Sequence, residues 1–222
     1  RFVLERWQPE GISLEELTLR LYRMASRLRP DWLFLSDGDE IHQTAHQGRT
    51  IRVAISEAVA AGHNVLQCNR FDFFMSDHDD PEVTSPVRRL RHYSWQGDCN
   101  YRAFRNIPGV RAVPSFAHYP LFPGGCPYRI APEKLVLRHY PYRSRGHAER
   151  KISNLVDKIR TDPSGRKAWH DRYVRIAAEG QHLEPVDHRM LARYDEDDVW
   201  DTRRLHTPFT DFQPTQDQLF TP

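Results

Sequence analysis

Two carboxylates separated by one glycine form the feature of this sequence with the clearest chemical potential. Asp37, Gly38 and Asp39 are followed by Glu40 and come directly after the apolar run of residues 32–35. Ligands of α/β sheets bind at the carboxyl ends of strands, which is where this acidic turn is expected. Carboxylate oxygens suit Mg²⁺ or Mn²⁺, and either ion can bridge them to a diphosphate. The sequence therefore predicts a divalent metal site at Asp37 and Asp39.

The same acidic turn also has a purely structural interpretation. Asp and Gly are common turn residues, and a turn of this kind after a strand needs no ligand. The Asp-x-Asp spacing by itself is a weak signal of metal binding. The short apolar strand before the turn favours the metal site, because an unalternating apolar run is typical of a strand buried on both faces of an α/β sheet.

A second group of polar side chains occupies residues 137–144. His139 ends a predicted strand, and a neutral imidazole at that place is a competent metal ligand. Arg143 offers a fork of donors that suits phosphate oxygens, and Ser144 leads into a basic helix. The structural alternative is a histidine packed beside tyrosines at a strand-to-helix turn, with Arg143 merely solvated.

The elements that must position these side chains follow from periodicity. Ser13 and Glu16 form a capping-box pair, and apolar residues then recur at three- and four-residue steps until Pro30. This predicts a helix whose apolar stripe consists of Leu14, Leu17, Leu21, Met24 and Leu28. Further predicted helices cover residues 49–61, 147–160 and 165–178. Predicted strands cover residues 32–35, 64–74, 101–104, 109–113 and 134–139, with loops at 77–86 and 120–132 and an extended tail from 181 to 222.

Composition excludes several classes of protein. The 32 Lys and Arg residues nearly balance the 30 Asp and Glu residues, so no overall field favours nucleic acid. Three cysteines at wide spacing form no zinc or redox motif, which favours a reduced, cytoplasmic protein. No apolar run approaches the roughly 20 residues that span a bilayer. Any contact with a membrane is therefore expected to be peripheral.

Several segments, taken in order, resemble bacterial family 2-like glycosyltransferases. They are SDGDE at 36–40, RFDFF at 70–74, NYRAFRN at 100–106, LRHYPYRS at 137–144 and AERKI at 148–152. The match spans residues 31 to about 175, and the ordered set of segments makes it specific. The resemblance implies an α/β, GT-A-like mixed sheet flanked by helices over residues 1–180, incomplete at its N-terminus.

The resemblance also implies roles for individual residues. Asp37 and Asp39 match the carboxylates that hold Mn²⁺ or Mg²⁺ on the diphosphate of a nucleotide-sugar donor. His139 matches a histidine that completes the metal site in related enzymes. The residues assigned to donor binding are Asp37, Glu40, Arg143 and Ser144.

This sequence departs from the family pattern at its beginning. The strands that hold the nucleoside base should precede the acidic turn by far more sequence, and the chain opens at Arg1 without a Met. We therefore expect a further segment upstream of this chain. We also expect the apolar stripe of the first helix to be partly exposed, since part of its partner surface would be missing.

The base that activates the acceptor is the second departure. The Glu-Asp pair that supplies it in many members has no clear counterpart here. Asp98 and Asp77 are the first candidates, because both lie in predicted loops near aromatic residues that can stack on a sugar. Asp79 and Asp80 are rivals, and each of these residues can equally be a turn residue.

The predicted function is transfer of a sugar from a nucleotide-diphosphate sugar to a hydroxyl acceptor. By resemblance, the reaction inverts the anomeric carbon and the acceptors are bacterial surface or capsular glycans. One alternative is a metal-dependent phosphohydrolase, although Ile41 stands where such enzymes usually have Thr or Ser. The other alternative is a non-catalytic sugar-binding or scaffolding protein.

Overall fold

A mixed β-sheet forms the centre of the fold. The computed structural model describes residues 14–46, 48–113, 116–161 and 183–194. The helices are α1 (Leu14–Arg27), α2 (Ile51–Ala60), α3 (Pro86–Arg89) and α4 (Arg145–Thr161), and a 3-10 turn covers His188–Met190. The strands are β1 (Trp32–Phe34), β2 (Glu40–Gln43), β3 (Val65–Phe74), β4 (His92–Arg105), β5 (Arg111–Val113), β6 (Phe116–Leu121), β7 (Leu135–His139) and β8 (Ala192–Arg193).

The sheet has the order β1-β4-β3-β7-β2, and β8 pairs with β4. β3 and β7 are parallel, whereas the other pairs in this sheet are antiparallel. β5 and β6 form a separate antiparallel pair. The predicted class, a mixed sheet accompanied by helices, is therefore confirmed. None of the helices in the described ranges is long and apolar enough to cross a membrane.

The core lies on both faces of this sheet, because successive side chains of a strand point to opposite faces. On one face, Leu135 and Leu137 of β7 pack in a cluster with Ala54 and Ala58 of α2. Val136 belongs to the cluster on the other face, together with Phe71, Phe73, Leu90, Tyr140 and Tyr194. The apolar residues at the start of β7, Leu135 to Leu137, are therefore buried on both faces of the sheet.

Local sequence signals account for most of the helices and long strands. α1, α2, β3, β7 and α4 occur close to their predicted bounds. Thr50 caps α2 by accepting a hydrogen bond from the backbone N–H of Val53. Gly62 follows that helix with φ 78°, the left-handed conformation that glycine adopts at helix ends.

The apolar stripe of α1 is only partly buried. Tyr22 and Ala25 pack against the cluster around Leu33, whereas Leu21 and Leu28 are 51% and 62% exposed. The expectation of partial exposure is thus confirmed for these two leucines. The helix predicted at 165–178 and most of the tail predicted for 181–222 lie outside the described residues.

Two strands differ from their predictions. The apolar run predicts burial of β1 on both faces, but β1 is a three-residue edge strand in which only Leu33 is buried. β4 extends over 14 residues, well beyond the predicted 101–104, because it pairs along the length of β3. Pairing of this kind depends on a distant partner, which local periodicity does not report.

Residues 183–194 also differ from the prediction of an extended tail. Val186 forms a parallel bridge with Ser76, and β8 adds to the edge of β4. Tyr194 is 7% exposed and belongs to the cluster around Phe73. Backbone pairing and one buried aromatic ring therefore hold this polar segment to the sheet.

Candidate active site

The acidic turn connects β1 to β2 and lies beside the end of β7. Glu40 pairs with His139 in the antiparallel register of β2 and β7, and the Tyr140 N–H donates to the Asp39 carbonyl over 2.8 Å. This pairing brings His139 Nε2 to 3.7 Å from Asp39 Oδ2. The prediction that His139 lies close to the acidic turn is confirmed for Asp39.

Asp39 is held between Lys151 and His139. Lys151 extends from α4, and its ammonium lies 2.7 Å from Asp39 Oδ2 and 3.2 Å from the Pro141 carbonyl. Burial by itself would raise the pKa of Asp39, but hydrogen bonds from His139 and Lys151 outweigh it and hold that pKa well below its usual range. The Asp39 side chain is therefore an anion at neutral pH.

Asp72 fixes the orientation of the His139 ring. Its Oδ1 lies 2.7 Å from His139 Nδ1, and Arg70 donates to both of its oxygens over 2.7 Å. Because Nδ1–H donates to Asp72, Nε2 faces Asp39. A carboxylate behind the ring is the arrangement that orients histidine ligands of metal ions.

Glu40 and Asp37 have different environments although both belong to the acidic turn. The Glu40 side chain is 4% exposed, bonds to Arg102, and lies 3.2 Å from His42 Nε2. It also accepts the Asp37 N–H over 3.1 Å. The Asp37 side chain is 60% exposed and has Arg102 at 3.2 Å. Glu40 therefore contacts protein groups, whereas Asp37 faces solvent.

Asp39 and His139 offer two potential ligand atoms for a divalent cation. One carboxylate oxygen and one imidazole nitrogen face each other, and both are ligands that Mn²⁺ accepts. The Lys151 ammonium lies beside Asp39, and its flexible side chain can move away when a metal ion binds. Within the described residues, Asp37 does not join these two as a group with ligand atoms inside 4.8 Å. Asp37 would have to turn away from Arg102 to become a third ligand.

The remaining predicted donor-binding residues lie at the start of α4. The Ser144 hydroxyl accepts the His147 N–H over 3.2 Å and so caps this helix. Arg143 is exposed, and its guanidinium lies 3.0 Å from His147 Nε2. α4 also carries Lys151. Arg143, Ser144 and Lys151 therefore belong to one segment, and the turn between β7 and α4 sets their positions.

The two candidate bases occupy different surroundings. Asp98 lies inside β4 rather than in a loop, which corrects the prediction for its backbone, and its side chain lies outside the described part of the structure. Asp77 follows β3 in a loop, as predicted, and accepts hydrogen bonds from the N–H and Nδ1 of His188 at 2.9 Å. Among described contacts, none joins Asp77 to Asp39 or His139. The catalytic roles of Asp98 and Asp77 stay predictions.

Sequence reasoning missed three residues of this site as individual contributors: Asp72, Arg102 and Lys151. Asp72 carried a usable signal, because a charged residue in the apolar strand 71–74 needs a buried partner. Arg102 carries the same signal, because it is a charged residue between Tyr101 and Ala103 in a predicted strand. Lys151 carried none, since a lysine on a helix is usually solvated.

We expect His139 to make the metal-free protein less stable as the pH rises above about 6.5. Burial would lower the pKa of His139, but hydrogen bonds to Asp39 and Asp72 raise it above the value in the unfolded chain. The stabilisation is therefore fully present below pH 6.5 and is lost as the pH passes the folded-state pKa. Melting temperature measured against pH in the presence of a chelator should show this decline.

The matched variants for that measurement are His139→Gln and His46→Gln. The first should flatten the decline, because glutamine has no proton to lose. The second replaces an exposed histidine, 4.0 Å from Glu133, and should keep the wild-type slope. A slope that persists unchanged in His139→Gln would contradict the assignment.

Comparison with known proteins finds relatives of this chain but no matching family. No protein-family model matches the chain, and no solved structure matches it. Uncharacterized proteins of Mycobacterium bovis and Mycobacterium tuberculosis are each 26% identical to it over 185 residues, which is 81% of this chain and 40% of each relative. The chain thus spans about two fifths of the length of the curated relatives it matches.

Proposed function

We propose that this chain contributes the metal-binding part of a glycosyltransferase that moves a sugar from a nucleotide-diphosphate sugar to a hydroxyl acceptor. The observation that carries the proposal is the 3.7 Å approach of His139 Nε2 to Asp39 Oδ2 at the end of two paired strands. Asp72 orients the imidazole from behind, as expected for a metal ligand.

In this proposal, Asp39 and His139 hold Mn²⁺ or Mg²⁺, and Asp37 turns from Arg102 to join them. When bound, the cation neutralises charge that develops on the departing diphosphate. Lys151 and Arg143 add positive charge on the same side, where they orient the phosphate oxygens. A carboxylate removes the proton of the acceptor hydroxyl, and Asp98 and Asp77 are the candidates.

The site also supports the proposal through its electrostatics. Asp39 is anionic at neutral pH, so it binds a cation without first losing a proton. Arg102 and His42 contact the Glu40 carboxylate, so its negative charge is already compensated within the protein. We infer that Glu40 supports the turn from behind rather than touching the donor.

Substitution of either proposed ligand should remove activity and metal binding together. Asp39→Asn and His139→Asn are expected to lower release of nucleoside diphosphate from a sugar nucleotide by more than about 100-fold, since even supporting residues of metal sites cost 10–100-fold. Release is measured with Mn²⁺ and a panel of sugar nucleotides, using a chain that includes the upstream segment expected to hold the nucleoside base. Calorimetry with Mn²⁺ gives the second readout.

Glu149→Gln is the matched control, because Glu149 is an exposed carboxylate of α4 that pairs with Arg145. It should keep wild-type turnover and Mn²⁺ affinity. Mn²⁺ binding that is equally tight in wild type and Asp39→Asn would contradict the metal site. Turnover unchanged by both ligand substitutions would contradict the proposed function.

A further inference from the structure

A second group of potential metal ligands lies away from Asp39 and His139. Asp77, Asp187 and His188 present ligand atoms that all lie within 4.8 Å of one another. His188 Nδ1 is 2.9 Å from Asp77 Oδ1 and 4.0 Å from Asp187 Oδ1. Two carboxylates and an imidazole therefore converge from parts of the chain more than a hundred residues apart.

Backbone pairing holds these carboxylates side by side. The Asp77 N–H donates to the Val186 carbonyl over 3.1 Å, and the Val186 N–H donates to the Met75 carbonyl over 2.8 Å. Asp187 follows Val186 and caps the 3-10 turn that begins at His188. The backbone hydrogen bonds of Val186 and the cap formed by Asp187 thus fix the positions of the ligands, which do not depend on flexible side chains alone.

Two more imidazoles surround this group. The ring centroids of His78 and His92 lie 4.7 Å and 5.8 Å from that of His188, and 6.1 Å from each other. His92 is 5% exposed, and its Nδ1 lies 2.9 Å from the Ser76 hydroxyl, which orients the ring. The three packed rings place further imidazole nitrogens beside the two carboxylates.

We propose that Asp77, Asp187 and His188 bind one divalent transition-metal ion of the zinc class, with His78 or His92 completing its coordination. Mixed imidazole and carboxylate ligands suit Zn²⁺, whereas Mg²⁺ prefers oxygen ligands throughout. The guanidinium of Arg189 now pairs with Asp187, but its side chain is 79% exposed and can turn to water. This assignment removes Asp77 from the candidate bases and leaves Asp98, with Asp79 and Asp80 as its rivals.

The ion would join residues 183–194 to the loop that follows β3. That segment is otherwise attached through the Ser76–Val186 bridge, β8 and Tyr194. Because a ligand that binds only the folded state raises stability, Zn²⁺ should raise the melting temperature in a concentration-dependent manner.

Calorimetry with Zn²⁺ tests the site independently of the proposed function. Asp39→Asn disables the first site and should still bind one equivalent of Zn²⁺. Adding His188→Asn to that variant should weaken the binding at least about tenfold, by analogy with other metal sites. Adding Asp80→Asn instead should leave the Zn²⁺ affinity unchanged, because Asp80 is exposed and its side chain accepts the Glu82 N–H outside this group of ligands.

Nitrogen NMR of the histidine rings in the wild-type chain gives a second measurement that needs no substitution. Zn²⁺ is expected to shift the ring nitrogens of His188 and of His78 or His92. The proposal is overturned if Asp39→Asn binds no Zn²⁺, if His188→Asn leaves its affinity unchanged, or if none of these three rings shifts. Loss of glycosyl transfer alone would leave the zinc result intact, so the two proposals can fail separately.

Discussion

Replacing Arg102 with methionine is expected to lower the free energy of unfolding by about 3–5 kcal/mol, because it leaves the buried Glu40 carboxylate without its cation. Arg102 is 2% exposed and bonds to Glu40, whose side chain is 4% exposed. Methionine keeps the apolar stem and much of the volume, so the loss reports mainly on charge. Denaturant unfolding followed by circular dichroism measures it.

The pH dependence of that loss distinguishes an unpaired charge from a packing defect. Burial would raise the pKa of Glu40, but hydrogen bonding with His42 and the charge of Arg102 outweigh it, so the wild-type pKa is lowered. The wild-type pair therefore contributes stability above the unfolded value of 4.5 and loses it as the pH falls. Without Arg102, protonation of Glu40 relieves the defect, and the difference between the two proteins should narrow below pH 4.5.

Two further variants control this experiment. Adding Glu40→Gln to Arg102→Met should recover part of the loss, because the amide needs no cation and still accepts a hydrogen bond. Arg145→Met removes an exposed arginine that pairs with Glu149 and Glu184 and should change stability little. A difference that stays constant with pH would show that Arg102 acts through packing.

Shortening Tyr194 to alanine is expected to cost about 3 kcal/mol, as for other buried aromatic residues. Its ring is 7% exposed and lies 5.8 Å from the ring of Phe73. The guanidinium carbon of Arg138 lies 4.3 Å from its centroid, so the variant also removes a cation–π contact. Thermal and denaturant unfolding both measure the change.

Met190→Ala is the matched control within the same short segment. Met190 is 80% exposed and should change the free energy of unfolding very little. If Tyr194→Ala were no more destabilising than Met190→Ala, residues 183–194 would not contribute to the core. The larger loss of stability expected for Tyr194→Ala would show that this segment is part of the folded domain.

Tertiary pairing decided which charged residues become partners. The sequence marked Asp37, Asp39 and His139 as candidates, but it did not distinguish exposed Asp37 from buried Glu40. Arg102, on the distant strand β4, contacts both carboxylates, but the Glu40 side chain is buried with it whereas the Asp37 side chain is exposed. A carboxylate's charge, exposure and role depend on the nearest cation, and that neighbour is set by strand order and register.

The sequence by itself determined the elements whose signals are local. Thr50 and Gly62 bound α2, and local sequence patterns predicted β3 and β7 close to their observed bounds. Only the tertiary structure decided that β2 pairs with β7, that Asp98 lies within a strand, and that residues 183–194 join the sheet. Helix caps and hydrophobic periods act over a few residues, whereas these contacts are selected by the packing of the whole chain.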